Sequence, residues 1–459
     1  MRSKSVAVFF CFILLISGTV AAESAKSAEA TSAAEKPPLV QYGFEHRIRT
    51  ENWNNLVDYS AATDDERRQL RYRTKVWLSL NTDRADLHLK LNNEFKKQYV
   101  SELGLNMDEV LIENLYVDFK KLAIRGLSLR VGRQDLTRGE GFMLMDGTPV
   151  DGSRTLYFNA IDLAYAWKRS KFEVIAILNP RQDRLLPRIH DQRKYLAEWD
   201  EQAFGFYYTD RNSKSTDVDA YYFLKKEVHD YRAATHAQFQ PDRHVSTLGA
   251  RVSRRIRDDI TVTGEFAVQW GAQKANPAVS APAADIHAWG GYGYVRKTFA
   301  HRTKPYVLGG TIMLSGDNPS TAAIESFDPI FSRYPKWGDL YIYSMTAENG
   351  VGYWANNRML QAEAGFTPWS PVTLRTTLYV DHAFHPNTKD ETAVFGSGQH
   401  RGENLQARMD YTVNPRVKGH VTYEIMLPGS FYAARSNAYF FRAEINYSFH
   451  GSLNSLSKN

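Results

Sequence analysis

The feature that most constrains this chain is a two-residue alternation that recurs along almost its entire length. In "AYFFRAEINYSFH", residues 438–450, one set is Tyr439, Phe441, Ala443, Ile445, Tyr447 and Phe449. The other is Phe440, Arg442, Glu444, Asn446 and Ser448, polar after its first member. Successive side chains of a strand point to opposite faces, so this is a two-faced strand. The pattern repeats in "LVQYGFEHRI", where Val40, Tyr42, Phe44 and Ile48 oppose Gln41, Glu45, Arg47 and Arg49. In "QLRYRTKVWLSL", Leu70, Tyr72, Val76, Leu78 and Leu80 oppose Arg71, Arg73 and Lys75. "VTLRTTLYVD" and "NLQARMDYTV" set Leu374, Leu378, Leu405 and Met409 against Arg375, Asp381, Arg408 and Asp410.

Two architectures bury one face of such strands. A soluble sandwich turns the apolar face inward, and its strands average about five or six residues. A membrane barrel turns it outward, against lipid. The segments here run about nine to twelve residues, the length a tilted strand needs to cross a bilayer. The expected fold is therefore all-β: a transmembrane antiparallel barrel of about 18 strands, within a range of 16 to 19. The weaker runs lie between 100 and 225 and between 338 and 356, and a brief helical spacing appears from Asn106 to Leu111. Short links at 257–259, 368–371 and 414–416 fit periplasmic turns. Longer links, Glu51–Arg68, Asn179–Trp199, Gln273–Ala284, Gly316–Gly338 and Phe384–His400, fit the outer face. An even strand number with both termini on the periplasmic side follows. Closure would pair the last strand, ending near Phe449, with the first.

Ahead of the barrel, Arg2 and Lys4 precede an apolar run of about 15 residues and the small residues Val20-Ala21-Ala22, the form of a secretory signal cleaved before Glu23. A membrane anchor is the alternative, but the run is short of the roughly 20 residues of a full span. Residues 23–38, rich in Ala, Ser, Glu and Lys, read as a disordered or weakly helical leader ended by Pro37 and Pro38. Residues 39–450 form the barrel and 451–459 a tail. Cys11, the single cysteine, lies in the signal, which leaves the mature chain without a disulfide, a thiol nucleophile or a thiolate metal ligand. Tyr (26) and Phe (24) are abundant although the mean hydropathy is −0.46, as aromatic girdles at two membrane interfaces require. The net charge is +6, without a block of five like charges, so nucleic-acid binding is not expected.

The face expected to look inward is thick with cations: Arg47, Arg49, Arg71, Arg73, Lys75, Lys90, Arg130, Arg251, Arg375, Arg408, Lys418 and Arg442. Glu45, Asp162, Asp217, Asp219, Glu265, Asp381, Asp410, Glu424 and Glu444 share it. Cross-strand ion pairs that rigidify a wet wall explain such a set; so does a cationic constriction that replaces the hydration of an anionic solute. Arginine suits the second, because its planar fork holds a carboxylate bidentately at any pH. Arg47, Arg49, Arg71, Arg73 and Lys75, on what should be adjacent strands, form the first candidate for selectivity.

A second constellation is local. Residues 129–167 carry Gly132-Arg133-Gln134 on a strand, a glycine-rich acidic loop with Gly139, and a returning strand with Asp162. Here the chain resembles the alginate-export family of outer-membrane barrels. Gly132, Arg133, Gln134, Gly139 and Asp162 fall on that pattern. Ser315-Gly316-Asp317 and Phe327-Asp328-Pro329 are similar to the long loop these proteins place after a mid-barrel strand. The returning strand reads Phe158-Asn159-Ala160-Ile161-Asp162, where the family more often has Phe-Asp directly. The resemblance implies an 18-stranded barrel of the Gram-negative outer membrane with an electropositive lumen, through which an anionic polyuronate is exported passively. Anionic carbohydrate and outer-membrane lipid are then the expected partners, with a periplasmic export partner beside them. Arg133 joins the selectivity residues on this pattern, and the Gly316–Gly338 loop is expected to fold in as a plug.

No Gly-x-Ser-x-Gly, His-Glu-x-x-His or phosphate-cradling loop occurs, and His46, His236, His382 and His420 have no serine signature nearby, so no enzyme is expected. No cofactor or metal is expected either: Asp146-Gly147 and Asp151-Gly152 lack cation-loop spacing and read as turns. A low-conductance barrel acting as a surface-binding or structural protein is the alternative function, and a barrel hydrolase a remote third.

Overall fold

The protein is seen in a computed structural model that describes residues 38–56, 58–100, 107–120, 122–145, 158–187, 200–228, 242–275, 282–332, 337–338, 340, 355–387 and 394–454. The expected signal at 1–22 and leader at 23–38 lie outside the described residues, apart from Pro38, as do the two Asp-Gly pairs. The alternating segments become β1 (Val40–Asn54), β2 (Arg67–Asn81), β3 (Ala85–Val100), β4 (Met107–Phe119), β5 (Leu127–Gln134) and β6 (Phe158–Trp167). Next come β7 (Ser170–Asn179), β8 (Asp200–Asp210), β9 (Thr216–Val228), β10 (Arg243–Arg257), β11 (Ile260–Gln273) and β12 (Ala284–Thr298). The last six are β13 (Tyr306–Leu314), β14 (Asn357–Trp369), β15 (Val372–His382), β16 (His400–Asn414), β17 (Val417–Pro428) and β18 (Ala438–Leu453).

Each strand pairs antiparallel with the next, and β1 pairs with β18 from Val40↔Leu453 to Asn54↔Tyr439. The 18-stranded sheet is thus closed and has no edge strand. Closure is what a strand protein needs in lipid, where no water can satisfy an unpaired backbone group. Among the described residues no helix is long and apolar enough to cross a membrane.

The outer and inner faces are the reverse of a soluble core. On β18 the outward Tyr439, Ile445 and Tyr447 are exposed, while the inward Phe440, Arg442 and Asn446 are buried. Val76, Leu78, Leu248, Phe266, Leu360 and Leu405 continue the exposed apolar band on other strands. Trp167, Phe172 and Trp369 sit on it near the short turns, and Phe204, Trp270 and Tyr439 near the long loops, as two girdles.

Three boundaries differ from the sequence reading. β18 runs to Leu453, so the barrel extends past 450 and Phe449 is an interior residue opposite Phe44. Glu51 belongs to β1, because Trp53 continues the alternation beyond it. The helical spacing from Asn106 dissolves into β4, whose partners on β3 and β5 override a weak local preference.

The barrel is not hollow. After β5, residues 135–145 turn inward, and after β13 residues 315–332 do the same. The two segments meet: Phe142 stacks on Phe327 with ring centroids 5.3 Å apart, and Leu144 bridges Phe331 in parallel. Phe142, Met143, Leu144, Phe327, Ile330 and Phe331 pack against wall residues including Ile175, Tyr221, Tyr292 and Met359 in one buried cluster. Each fully buried ring contributes about 1.5–3 kcal/mol. Two glycines make this approach feasible. A Cβ on Gly290 of β12 would lie 2.6 Å from the Phe327 ring, and Gly141 turns the first segment with φ +78°.

A charge on the outer face should test this inside-out arrangement. Ile445→Arg is expected to cost about 2–4 kcal/mol near the bilayer midplane, read as loss of the compact heat-sensitive band on gels, whereas Gln361→Arg on the lumen face of β14 leaves that band in place.

Candidate functional site

The strand register brings the expected cationic cluster together. Arg47 lies directly opposite Arg73, and Arg49 opposite Arg71, across β1 and β2. Like charges facing each other in a sheet repel, and carboxylates from three strands offset the repulsion. Glu51 accepts Arg71 at 3.2 Å and Arg442 at 2.9 Å, and lies 3.2 Å from Arg49. Glu94 accepts Arg71 at 3.0 Å and lies 3.9 Å from Arg47, while Glu444 lies 3.7 Å from Arg47 and 3.6 Å from Arg49. Arg73 reaches Glu45 at 3.5 Å, and Lys75 reaches Glu113 at 2.8 Å. Arg47, Arg49 and Glu51 are all 1% exposed or less. The cluster is therefore an ion-paired ladder buried in the wall. Glu51 and Glu94 are the residues missed: the first was read as loop, and the second sits in a run, "NNEFKKQYV", whose alternation is weak.

The other expected cations divide in the same way. Arg130 donates twice to Asp118, each at 2.7 Å, and lies 4.4 Å over the Tyr116 ring. Arg251 bridges Asp219 at 3.2 Å and Glu140, on the first inward segment, at 2.9 Å. Arg133 is not a lumen residue of the same kind. It shares the parity of exposed Val131, follows Gly132 with φ +129°, and is held by Asp183 through two bonds of 2.7 and 2.8 Å.

The remaining motif residues hold the inward segments. Gln134 donates to the Ala160 carbonyl at 3.0 Å. Gly139, with φ +58°, starts the turn that lets Arg138 reach Asp162 and Glu173, each at 2.7 Å. Asp317 accepts the Glu325 amide at 3.0 Å. Asp328 pairs with Arg243 and accepts the Ile330 amide at 2.7 Å, and Lys225 donates to the Ile330 carbonyl at 2.6 Å. Their common work is to anchor a two-segment plug. The loop expected to fold in, 316–338, does so over 316–332, with 333–336 outside the described residues, and it meets a second inward segment, residues 135–145, expected only as a separate acidic loop.

A further row of cations runs along β15 to β18. Along a single hydrogen-bond row, Gly365 on β14 faces Arg375 on β15, Arg375 faces Arg408 on β16, Arg408 faces Thr422 on β17, and Thr422 faces Arg442 on β18. Arg375 shares the buried parity of Thr377, Tyr379 and Asp381, and Arg408 that of Gln406 and Asn404, so both face inward. Arg408 holds Asp410 at 2.9 Å. Arg375 forms no ion pair among the described residues, and its buried Nε has no hydrogen-bond partner there. Two guanidinium groups on neighbouring strands, about 5 Å apart at the backbone, suit a carboxylate from outside.

The chain matches the family model described as Alginate export over residues 39–445. No curated protein sequence matches it. Among solved structures the fold is similar to OpdK of Pseudomonas aeruginosa, solved with vanillate, at TM-score 0.55 and 11% identity over 90% of this chain and 99% of that one. OprD of Pseudomonas aeruginosa aligns at TM-score 0.54 and 9% identity over 91% and 96%. OccAB2 of Acinetobacter baumannii aligns at 0.55 and 11% over 89% and 98%.

Removing a shared carboxylate should be costly, whereas changing Arg375, which forms no ion pair among the described residues, should not. Glu51→Gln leaves three buried arginines short of charge and is expected to destabilise by about 3–5 kcal/mol in a denaturant titration of the detergent-folded barrel; Arg375→Gln should leave the midpoint nearly unchanged. Phe142→Ala with Phe327→Ala should loosen the plug, and single-channel recordings should show a conductance increase.

Proposed function

The chain belongs to the alginate-export family, and from that membership we propose that this outer-membrane β-barrel channel passes anionic solutes, with an acidic polysaccharide such as alginate as its class of cargo. The observation that carries the reading is the Arg375–Arg408 pair: two inward guanidinium groups in register, one of them without an acidic partner among the described residues. A uronate carboxylate entering there gains bidentate, charge-assisted hydrogen bonds and relieves a like-charge juxtaposition. The adjoining ladder of β1, β2, β3 and β18 serves a different end. Its arginines share Glu51, Glu94 and Glu444 across neighbouring strands, which makes a stiff polar wall. Passage is diffusion down a gradient, with the plug of residues 135–145 and 315–332 narrowing the path.

A second reading has an observation behind it. The apolar packing of Phe142, Phe327 and Phe331 against the wall suits a barrel of low conductance that acts as a surface-binding or structural protein. Planar-bilayer recording separates the two. Under a salt gradient the reversal potential should report anion preference, and added alginate oligomers should block the current. Arg375→Ser with Arg408→Ser should lower the anion preference and weaken block, while Arg71→Gln changes selectivity little. Cation preference in the native channel would contradict the proposed selectivity, and a silent barrel would favour the second reading.

A further inference from the structure

The strand boundaries partition the chain's charge between the two ends of the barrel, and the division is lopsided. The eight short turns, from 82–84 to 415–416, contain eleven Lys and Arg against three Asp, a net +8. The nine long links at the opposite end, from 55–66 to 429–437 and without the inward segments 135–145 and 315–332, contain twelve Lys and Arg against sixteen Asp and Glu, a net −4. The chain as a whole is only +6, so composition hides the asymmetry. Short turns are periplasmic and long loops extracellular in outer-membrane barrels.

The turn charges are also available. Arg125, Lys168, Arg169, Lys214, Arg302 and Lys304 are exposed and form no ion pair among the described residues. They come from four turns, between β4 and β5, β6 and β7, β8 and β9, and β12 and β13, and therefore encircle much of the mouth rather than form one patch. By contrast, Arg211 in the same collar is tied to Asp219 at 2.7 Å, and Arg416 lies 5.7 Å over the Phe449 ring.

We propose that this cationic collar is the capture surface of the channel: an acidic polysaccharide is drawn from the periplasmic side onto the turn rim, and the acidic outer loops disfavour its entry from the other side. The proposal rests on the anionic-cargo reading above and gives it a direction. Fixed charge cannot drive net flux through a passive pore, since both ends share one equilibrium. It sets rates: a mouth lined by one sign of charge raises the local concentration and encounter rate of the opposite ion by about 10- to 1,000-fold at low salt. A polyanion multiplies the effect because several of its charges meet the collar together. The collar also lies below the Arg375–Arg408 pair on the periplasmic path, so a captured chain end is delivered to the row that can hold its carboxylates.

The test records block of the full-length channel in a zwitterionic bilayer, with short alginate oligomers added to one side at a time. Orientation is scored by streptavidin capture of a biotinylated Ala433→Cys in the exposed loop before β18, with Cys11→Ser beside it. At low salt the association rate from the turn side should exceed that from the loop side by on the order of tenfold, and the two should converge near 1 M salt, where the screening length is about 3 Å. Neutralising Lys168→Gln, Arg169→Gln, Arg302→Gln and Lys304→Gln together should lower the turn-side rate several-fold and leave the loop-side rate unchanged. These turn residues are exposed, and gel mobility checks folding; if the quadruple variant fails to fold, the two-sided and salt comparisons on the native barrel still decide. Equal rates from both sides would overturn the capture surface while leaving the anion channel intact. So would an asymmetry seen only when anionic lipid is added, which would assign the turn charges to phospholipid headgroups. Absence of block from either side would overturn both this inference and the cargo reading.

Discussion

The pairing of β1 with β18 is the interaction on which everything else depends. Fifteen residues of β1 find partners on β18, and without them two edges would face hydrocarbon with no water to complete their hydrogen bonds. Once the sheet closes, the two-residue alternation acquires its meaning. One face must be apolar because lipid surrounds it, and the other is free to carry charge because it is enclosed. The arginines are thus permitted by closure before they are useful for transport.

Enclosure also imposes a cost on charge. An arginine buried in a wall needs a carboxylate, and Glu51 serves three of them at once. The wall beside β1 meets that need with Glu51, Glu94 and Glu444. The proposed selectivity then rests on two sets of cations. One is the Arg375–Arg408 pair within the lumen. The other is the rim of short turns, where water itself solvates the charge. The inward segments work between them: Phe142 on Phe327 narrows the passage, and Arg138 and Asp328 tie the segments to the wall.

Much of the fold was legible because a barrel writes its geometry locally. The parity of Tyr439 to Phe449 on β18 is visible in the string of residues and persists in the structure. Strand ends were less legible: β18 continues past Phe449 because His450 to Leu453 still find partners on β1, a fact about a distant strand. The candidate site was readable as a set of arginines but not as a charge balance. Glu51 appeared to belong to a loop, and Glu94 to no clear strand, so two partners of Arg71 and one of Arg49 were missed. The meeting of 135–145 with 315–332 could not be read at all, since nothing in either segment names the other. Arg133 followed the motif into the selectivity set, yet the positive φ of Gly132 and the reach of Asp183 place it elsewhere.

The proposal that the Arg375–Arg408 pair gives the lumen a preference for anions can be tested at the pair itself. With Cys11→Ser, a cysteine at Thr373→Cys stands one pleat from Arg375 on the same face of β15. Its reaction rates with a sulfonate-bearing and a trimethylammonium-bearing methanethiosulfonate should be compared in the folded barrel. The account predicts that the anionic reagent reacts faster, by on the order of tenfold, and that Arg375→Ser with Arg408→Ser abolishes the difference. Equal rates, or a faster cationic reagent, would contradict it.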